Sequence, residues 1–286
     1  LYFGGLFPLR RMSAPMEAYT EQKKEGGTNI MKKLFVLSPK RMALLTCVLA
    51  AALMFGAVNM PAVVASATQR QLPIYCVERD QKMISISFDA AWGNEDTQQL
   101  IDILGKYNIK ATFFVVGEWV DKYPESVKAL HDAGHEVMNH SNTHAHMSQL
   151  SRDEIIADVN ACNDKIEAVT GVRPTLIRPP YGEYDDNVIT AIRSMDMEPI
   201  QWDVDSLDWK DLSAADITQR VTSKVQAGSI VLFHNAAKHT PEALPTILET
   251  LLQEGYTFVP ISQLILPGEC NTDYTIDHTG RQQAAG

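Results

Sequence analysis

Short apolar segments alternate with longer amphipathic segments along most of the chain, and this order constrains the fold more than any other feature. Strand-like composition is found over residues 83–89, 111–117, 136–139, 175–178, 199–202, 229–233 and 257–259. Apolar residues recur at helical spacing over residues 96–107, 119–133, 153–169, 187–195, 214–226 and 241–254. Because repeated β/α order makes consecutive strands parallel, the sequence predicts an α/β fold with a parallel sheet, either closed into a barrel or open.

Charged and imidazole side chains stand at or just after the ends of the predicted strands. They are Asp89, His140 with His144, Arg178, Asp205 with Asp208, and His234. The carboxyl ends of the strands share one face of a β/α barrel, and active sites are built on that face. We therefore expect these side chains to converge, and this convergence is stronger evidence for an active site than any single motif.

The segment His140-Ser-Asn-Thr-His144 places two imidazoles four residues apart. On a helical turn they would point the same way, which suits a metal ion, whereas two exposed histidines on a polar loop are the alternative. A hydrolytic metal site with two histidines usually also has a carboxylate and an open position for water. Asp89 is the candidate carboxylate, and the residue that follows it is Ala90.

Two further segments each have a chemical and a structural interpretation. Arg178-Pro-Pro-Tyr181 is either a rigid turn that directs the Tyr181 N–H at a substrate oxygen or only a proline-rich turn. His234 ends a buried strand, where a lone histidine is more often a satisfied core residue. With Asp208 beside it, His234 becomes a candidate general acid, because the carboxylate would raise its pKa and fix its tautomer.

Five motifs stand in a characteristic order. They are Ser87-Phe-Asp-Ala90, His140-Ser-Asn-Thr-His144, Arg178-Pro-Pro-Tyr181, Asp205-Ser-Leu-Asp-Trp209 and Leu232-Phe-His234. Together, over about residues 81–266, they resemble the polysaccharide deacetylase family, the NodB homology domain of carbohydrate esterase family 4. The Phe-Asp-Ala-Ala-Trp-Gly form is most similar to the sporulation-associated PdaB-like branch. The resemblance implies a distorted (β/α)7 barrel that uses a metal ion to remove acetyl groups from N-acetylated amino sugars.

The resemblance also implies a role for each matching residue. Asp89 would be the catalytic base, oriented by Arg178, and His140 and His144 would be metal ligands. The Tyr181 backbone would be the oxyanion donor, and Trp209 and Leu232 would be walls of the acetyl pocket. Asp208 and His234 would form a pair in which His234 is the general acid. The family usually has a second acid as third metal ligand where this chain has Ala90. We therefore expect a weakened site for a divalent metal, with zinc as the expected ion and Asp89 nearest to it. Glu95 and Asp96 are the alternative carboxylates.

The composition and the chain ends indicate partners and location. A formal charge of −10 argues against nucleic acid as the main partner and leaves a glycan open. Residues 1–30 are expected to be a spurious or disordered extension. Residues 31–67 are expected to be a signal peptide or N-terminal membrane anchor, with a basic start, an apolar run and the small residues Ala65-Ser-Ala67. We therefore expect a protein that is secreted or membrane-anchored on the extracytoplasmic side. The deacetylase domain is expected over 76–266 and a flexible tail over 267–286, and Cys76 and Cys270 either pair or stay free.

Three functions are compatible with these residues. The first is a metal-dependent N-deacetylase of peptidoglycan or a related polysaccharide, with a role in sporulation. The second is a catalytically weak or inactive glycan-binding relative with a structural role in the spore envelope. Ala90 favours the second function, whereas the retained acids, arginine and histidine of the motifs favour the first. The third is a hydrolase of small cyclic amides, which fits an exported protein less well.

Overall fold

The computed structural model describes residues 38–50 and 70–286. Residues 39–50 form a helix, α1, whose side chains are exposed. Within these two ranges, none of the helices has both the length and the apolar content that a membrane crossing needs. The expected extension over 1–30 and the expected cleavage pattern at 65–67 lie outside the described residues. A signal peptide or anchor over 31–67 therefore stays a prediction.

Residues 70–286 form an α/β unit. Its strands are β1 (Cys76–Val77), β2 (Met83–Ala90), β3 (Thr112–Val115), β4 (Glu136–Asn139), β5 (Leu176–Ile177), β6 (Glu198–Pro199), β7 (Val204–Asp205), β8 (Ile230–His234), β9 (Thr257–Phe258), β10 (Tyr274–Ile276) and β11 (Arg281–Ala284). Its helices are α2 (Thr97–Lys106), α3 (Gly117–Lys122), α4 (Pro124–Asp132), α5 (Arg152–Thr170), α6 (Asp186–Arg193), α7 (Ala214–Thr222), α8 (Thr240–Gln253) and α9 (Ile261–Leu264). Short 3-10 turns lie at Met147–Gln149, Pro180–Gly182 and Asp208–Lys210.

The main sheet has eight strands in the order β6-β5-β4-β3-β2-β8-β7, with β9 beside β2. All of its pairings are parallel. The strands β6 and β7 are neighbours in the sequence but stand at opposite ends of this order, so the sheet curls into a half-barrel. The predicted α/β fold is confirmed. Of the closed and open arrangements that the sequence allowed, the sheet adopts an intermediate one, a curled half-barrel.

The central strand β2 has an apolar face and a polar face, because successive side chains of a strand alternate. The apolar side chains pack with the surrounding helices in the larger core cluster, and they are Ile84, Ile86, Phe88 and Ala90. Ser85, Ser87 and Asp89 are also buried and point to the opposite face, toward the barrel interior. The carboxylate of Asp89 and the methyl group of Ala90 therefore lie on opposite faces of the sheet.

Two of the predicted elements are divided differently in the structure. The helix expected over 119–133 is divided into α3 and α4 at Tyr123, whose backbone is not helical (φ −134°, ψ 53°). Pro124 causes this break, because proline lacks an N–H and disfavours the helical conformation of the preceding residue. The strand expected over 199–202 ends at Pro199, and β7 follows after a short turn that the sequence pattern does not indicate.

The prediction of a flexible tail over 267–286 is wrong. Strand β10 pairs antiparallel with β11, and β11 pairs parallel with β1, which gives a separate three-stranded sheet. Gln282 is fully buried. Its side-chain amide accepts from the Leu266 N–H and donates to the Leu266 carbonyl oxygen. The sequence pattern does not indicate this sheet, because the sheet contains few apolar residues and is held by backbone pairing and one buried amide. Cys76 and Cys270 are both free thiols.

Candidate active site

A cavity of about 470 Å³ opens at the carboxyl ends of the parallel strands. Its lining residues are Asp89, Ala91, Trp92, His140, His144, Tyr181, Trp202, Asp205, Trp209, Leu232 and His234. Of the predicted site residues, only Arg178 and Asp208 are missing from this lining, and both are buried directly behind it, in contact with Asp89 and His234. Residues that are distant in the sequence thus meet where the strand order predicts, and the roles assigned to them stay predictions.

Asp89 and Arg178 form a buried ion pair at the floor of the cavity. The guanidinium Nη1 donates to Asp89 Oδ1 over 2.7 Å, and Nη2 donates to Ser87 Oγ and to the Gln201 carbonyl oxygen. The Arg178 side chain is fully buried, and its charged group lies 4.3 Å from the Phe114 ring centroid. These contacts offset part of the cost of burying the charge, although burial still lowers the pKa of Arg178.

The state of the Asp89 carboxyl follows from this pairing. Burial, the largest single effect, would raise its pKa, but the charge and hydrogen bond of Arg178, with contributions from His140 and His234, together outweigh it and hold the pKa of Asp89 below its usual range. The carboxylate is therefore ionised at neutral pH. Arg178 uses only Oδ1, so Oδ2 remains directed at the histidine side of the site, 3.5 Å from His140 Nε2.

The segment from His140 to His144 brings two imidazoles together, but not on the helical turn that its spacing suggested. No helix forms there, and Ser141 and His144 have positive φ angles of 67° and 55°. The Asn139 side chain accepts from the Ser141 N–H, and Ser141 Oγ accepts from the His144 N–H. These bonds fold the loop so that the two ring centroids lie 5.0 Å apart.

The protonation of His140 leaves one ring nitrogen available as a ligand. His140 Nδ1 donates to the Arg178 carbonyl oxygen over 2.7 Å, so Nε2 carries a lone pair. Burial lowers the pKa of His140, so the ring is neutral. The lone pair therefore faces the ionised Oδ2 of Asp89 with no proton between them. A cation between these two atoms would replace repulsion by attraction.

His144 completes the donor set. Its Nδ1 is buried without a hydrogen-bond partner among the described residues. Burial, with a smaller contribution from His140, lowers the pKa of His144 to about 4, which leaves the ring neutral. Two neutral imidazoles and one carboxylate are the ligand types of hydrolytic zinc sites. The ligand types of His140, His144 and Asp89 thus fit a divalent ion.

The third carboxylate position of the family is not filled by another acid. Ala90 is 1% exposed and packs in the core. Glu95 accepts from the Asn94 N–H and Asp96 accepts from the Ala236 N–H, and neither lines the cavity. Over residues 38–50 and 70–286, no three His, Cys, Asp or Glu side chains are already grouped closely enough to hold a metal. A metal bound here would have to share Asp89 with Arg178.

His234 and Asp208 form the second polar pair. His234 Nδ1 donates to Asp208 Oδ1 over 2.8 Å, while Asp208 Oδ2 accepts from the His234 N–H and from Thr240 Oγ1. This bonding fixes the tautomer and leaves Nε2 on the cavity side. Burial, the largest single effect, would lower the pKa of His234, but the hydrogen bond and charge of Asp208, with smaller contributions from Asp89 and Asp205, together outweigh it and raise that pKa above its ordinary value. His234 is thus suited to donate a proton.

The remaining predicted residues form the walls. Tyr181 has a left-handed backbone (φ 60°, ψ 4°), a conformation that is costly for a residue with a side chain and is often found at functional sites. Its ring stacks on His146 with centroids 4.2 Å apart. Trp209 lies in a 3-10 turn and is exposed, whereas Leu232 is buried at the cavity floor.

Four site residues escaped the sequence analysis. Trp92 and Trp202 line the cavity, Thr240 bonds Asp208, and Asn235 bonds the loop that carries Trp92. Trp92 and Asn235 could have been found by position, because each lies within three residues of a motif residue at a strand end. Trp202 carries the same signal, because it lies three residues before Asp205, whereas Thr240 carries none.

Comparisons with known proteins were consistent with this geometry. Residues 77–200 match the family described as polysaccharide deacetylase. The chain is 38% identical to the peptidoglycan-N-acetylmuramic acid deacetylase PdaC of Bacillus subtilis over 66% of this chain and 40% of that protein. The crystal structure of PdaC gives a TM-score of 0.60 with 39% identity, covering 66% of this chain and 92% of the crystallised one.

A second solved structure is that of a relative described as a pseudoenzyme. BA3943 from Bacillus anthracis, described as a carbohydrate esterase family 4 pseudoenzyme, gives a TM-score of 0.65 with 38% identity, covering 67% of this chain and 68% of that chain. A mutant of BA3943 is described as having restored enzymatic activity. These structures confirm the predicted NodB-type (β/α)7 fold. The chain spans less than half the length of the full PdaC protein.

Proposed function

Since the chain belongs to the polysaccharide deacetylase family, carbohydrate esterase family 4, we propose that it is a metal-dependent N-deacetylase of peptidoglycan amino sugars. The substrate class is supported by the peptidoglycan deacetylases to which the chain is similar. In the reaction, water adds to the acetyl carbonyl carbon, the carbon–nitrogen bond breaks, and acetate and a free amine leave.

Asp89 is the proposed base. Its ionised carboxylate is held by Arg178 and takes the proton of the attacking water. A divalent ion held by His140 and His144 would supply Lewis-acid polarisation of the acetyl carbonyl and the water. Arg178 keeps Oδ1 fixed, so the same interaction that ionises Asp89 also orients it.

His234 is the proposed acid. Its Nδ1–H stays on Asp208, and the proton on Nε2 passes to the amine nitrogen as the bond to carbon breaks. The acetyl methyl group would pack against Leu232 and Trp209, and the backbone N–H of Tyr181 is the proposed donor to the oxyanion.

One observation carries this proposal. Asp89 and His234 are direct register partners on β2 and β8, so the proposed base and the proposed acid stand side by side at one cavity. The test is acetate release by the full chain, supplied with zinc, from peptidoglycan and from N-acetylglucosamine oligomers. The Asp89→Asn variant is the control. Acetate release by the wild type that is lost in Asp89→Asn supports the proposal. Equal acetate release by both proteins refutes it.

A second candidate function is glycan binding with little or no catalysis. Ala90 supports it, because the chain lacks the extra carboxylate, and so does the similarity to a pseudoenzyme. The acetate assay together with calorimetry separates the two functions. A protein that only binds glycan gives a binding signal in calorimetry and releases no acetate with or without zinc.

We also propose an extracytoplasmic location and a role in sporulation. The signal-like segment over 31–67 and the PdaB-like form of the first motif support these proposals. Fractionation of sporulating cells that produce a tagged chain tests both. Recovery of the chain in the cytoplasm alone, or its absence during sporulation, would be evidence against them.

A further inference from the structure

Exposed aromatic side chains are concentrated around the cavity. In the range 70–286 the large apolar residues that are exposed are Trp92, Val172, Tyr181, Trp209 and Leu252. The three aromatic ones all line the cavity. Apolar surface gathered at the rim of a polar cavity marks a ligand contact more often than chance exposure does.

Trp92 differs from the other two aromatic residues. Tyr181 is stacked on His146, and Trp209 is covered in part by Lys210, whose ammonium lies 4.9 Å from the ring centroid. Trp92 is the most exposed of the three, at 67%. It contacts His144 edge to face, with centroids 5.6 Å apart, and thus leaves a broad ring surface open beside the metal-binding histidines.

The backbone that carries Trp92 is held firmly although the side chain is exposed. The buried side chain of Asn235 donates to the carbonyl oxygens of Trp92 and Gly93, over 2.6 Å and 2.8 Å. Trp119 Nε1 donates to the same Gly93 oxygen. An exposed aromatic ring on a fixed backbone is preorganised, so a ligand that packs on it loses little conformational entropy.

We propose that Trp92 is a stacking platform for a neighbouring sugar ring of the glycan, and that Asn235 is the positioning residue of this platform. The apolar face of a pyranose ring packs on the indole while the acetylated sugar occupies the cavity. The inference deepens the proposed function and rests on it for the glycan nature of the ligand. A platform at Trp92 gives the site a higher affinity for chains of several sugars than for a single sugar.

The experiment measures binding of N-acetylglucosamine and of its tetramer to the full chain by calorimetry. The tetramer gain is the ratio of the affinity for the tetramer to the affinity for the monomer. Trp92→Ala should lower this ratio about tenfold, which corresponds to about 1.4 kcal/mol. Trp92→Phe, which keeps an aromatic face, should retain most of that gain. Val172→Ala, an exposed apolar residue outside the cavity, is the matched control.

Asn235 is tested by coupling. Asn235→Ala should reduce the tetramer gain, and the double variant with Trp92→Ala should bind no more weakly than Trp92→Ala alone, because both changes remove the same contact. Additive losses would show that Asn235 has only a structural role. An unchanged tetramer gain in Trp92→Ala, or no glycan binding by the wild type, would overturn the platform. Tetramer binding through Trp92 without acetate release would instead refute only the deacetylase proposal.

Discussion

Replacing Ala90 with aspartate tests whether a metal site can be completed at this position. The side chain is 1% exposed and belongs to the apolar core cluster, so an uncompensated carboxylate there should destabilise the fold by about 3–5 kcal/mol. For an α/β unit of this size that cost lowers the melting temperature by about 9–15 °C. If the strand end turns slightly and the new carboxylate reaches His140 and His144, a bound ion offsets the penalty.

The magnitude of the offset follows from linkage between binding and folding. Zinc at about 100 times its dissociation constant stabilises the folded state by about 2.7 kcal/mol, or about 8 °C for this unit. Melting curves of wild type, Ala90→Asp and Ala90→Asn should therefore show a larger zinc-dependent rise for the aspartate variant alone. Acetate release should increase in the same variant. An equal zinc response in all three proteins, without a gain in acetate release, would refute the argument that the site lacks one ligand.

Two further predictions concern the acid and the C-terminal sheet. Asp208→Asn should lower the pKa of His234, because burial then outweighs the remaining charges; the alkaline limit of activity should fall by at least about one pH unit. In the wild type, His234 contributes stability that is complete below its unfolded pKa of about 6.5 and is lost as pH rises through its higher folded pKa. Between these pH values, the free energy of unfolding measured in urea should fall as pH rises in the wild type and not in the variant. Equal pH slopes in the two proteins would be evidence against the role of Asp208. Gly280→Ala should destabilise more than Gly255→Ala, because both have φ near +85° but a Cβ at 280 would lie 2.2 Å from Tyr75, while the one at 255 meets open space. Equal urea midpoints for the two glycine variants would contradict this.

The order of strands and the convergence of the motifs could be predicted because they depend on local patterns. Apolar periodicity defines each β/α segment, and parallel connection places every strand end on one face. This is why Asp89 and His234, 145 positions apart, were expected to be neighbours and are register partners.

Features that depend on backbone detail could not be predicted in the same way. The two histidines are brought together by a loop with positive φ angles, and the i, i+4 spacing alone favoured a helical turn. The C-terminal sheet depends on a buried glutamine and on backbone pairing with Cys76–Val77. The backbone of Trp92 is fixed by Asn235 from a different strand end, a contact that no local pattern indicates.

The most direct test of the central claim is the pH dependence of kcat/KM for acetate release by the zinc-loaded chain. An ionised Asp89 and a protonated His234 acting on one acetamide predict a bell-shaped profile, whose alkaline limb disappears in His234→Ala. A profile that keeps both limbs in this variant, or no acetate release by the wild type at any pH, would contradict the account.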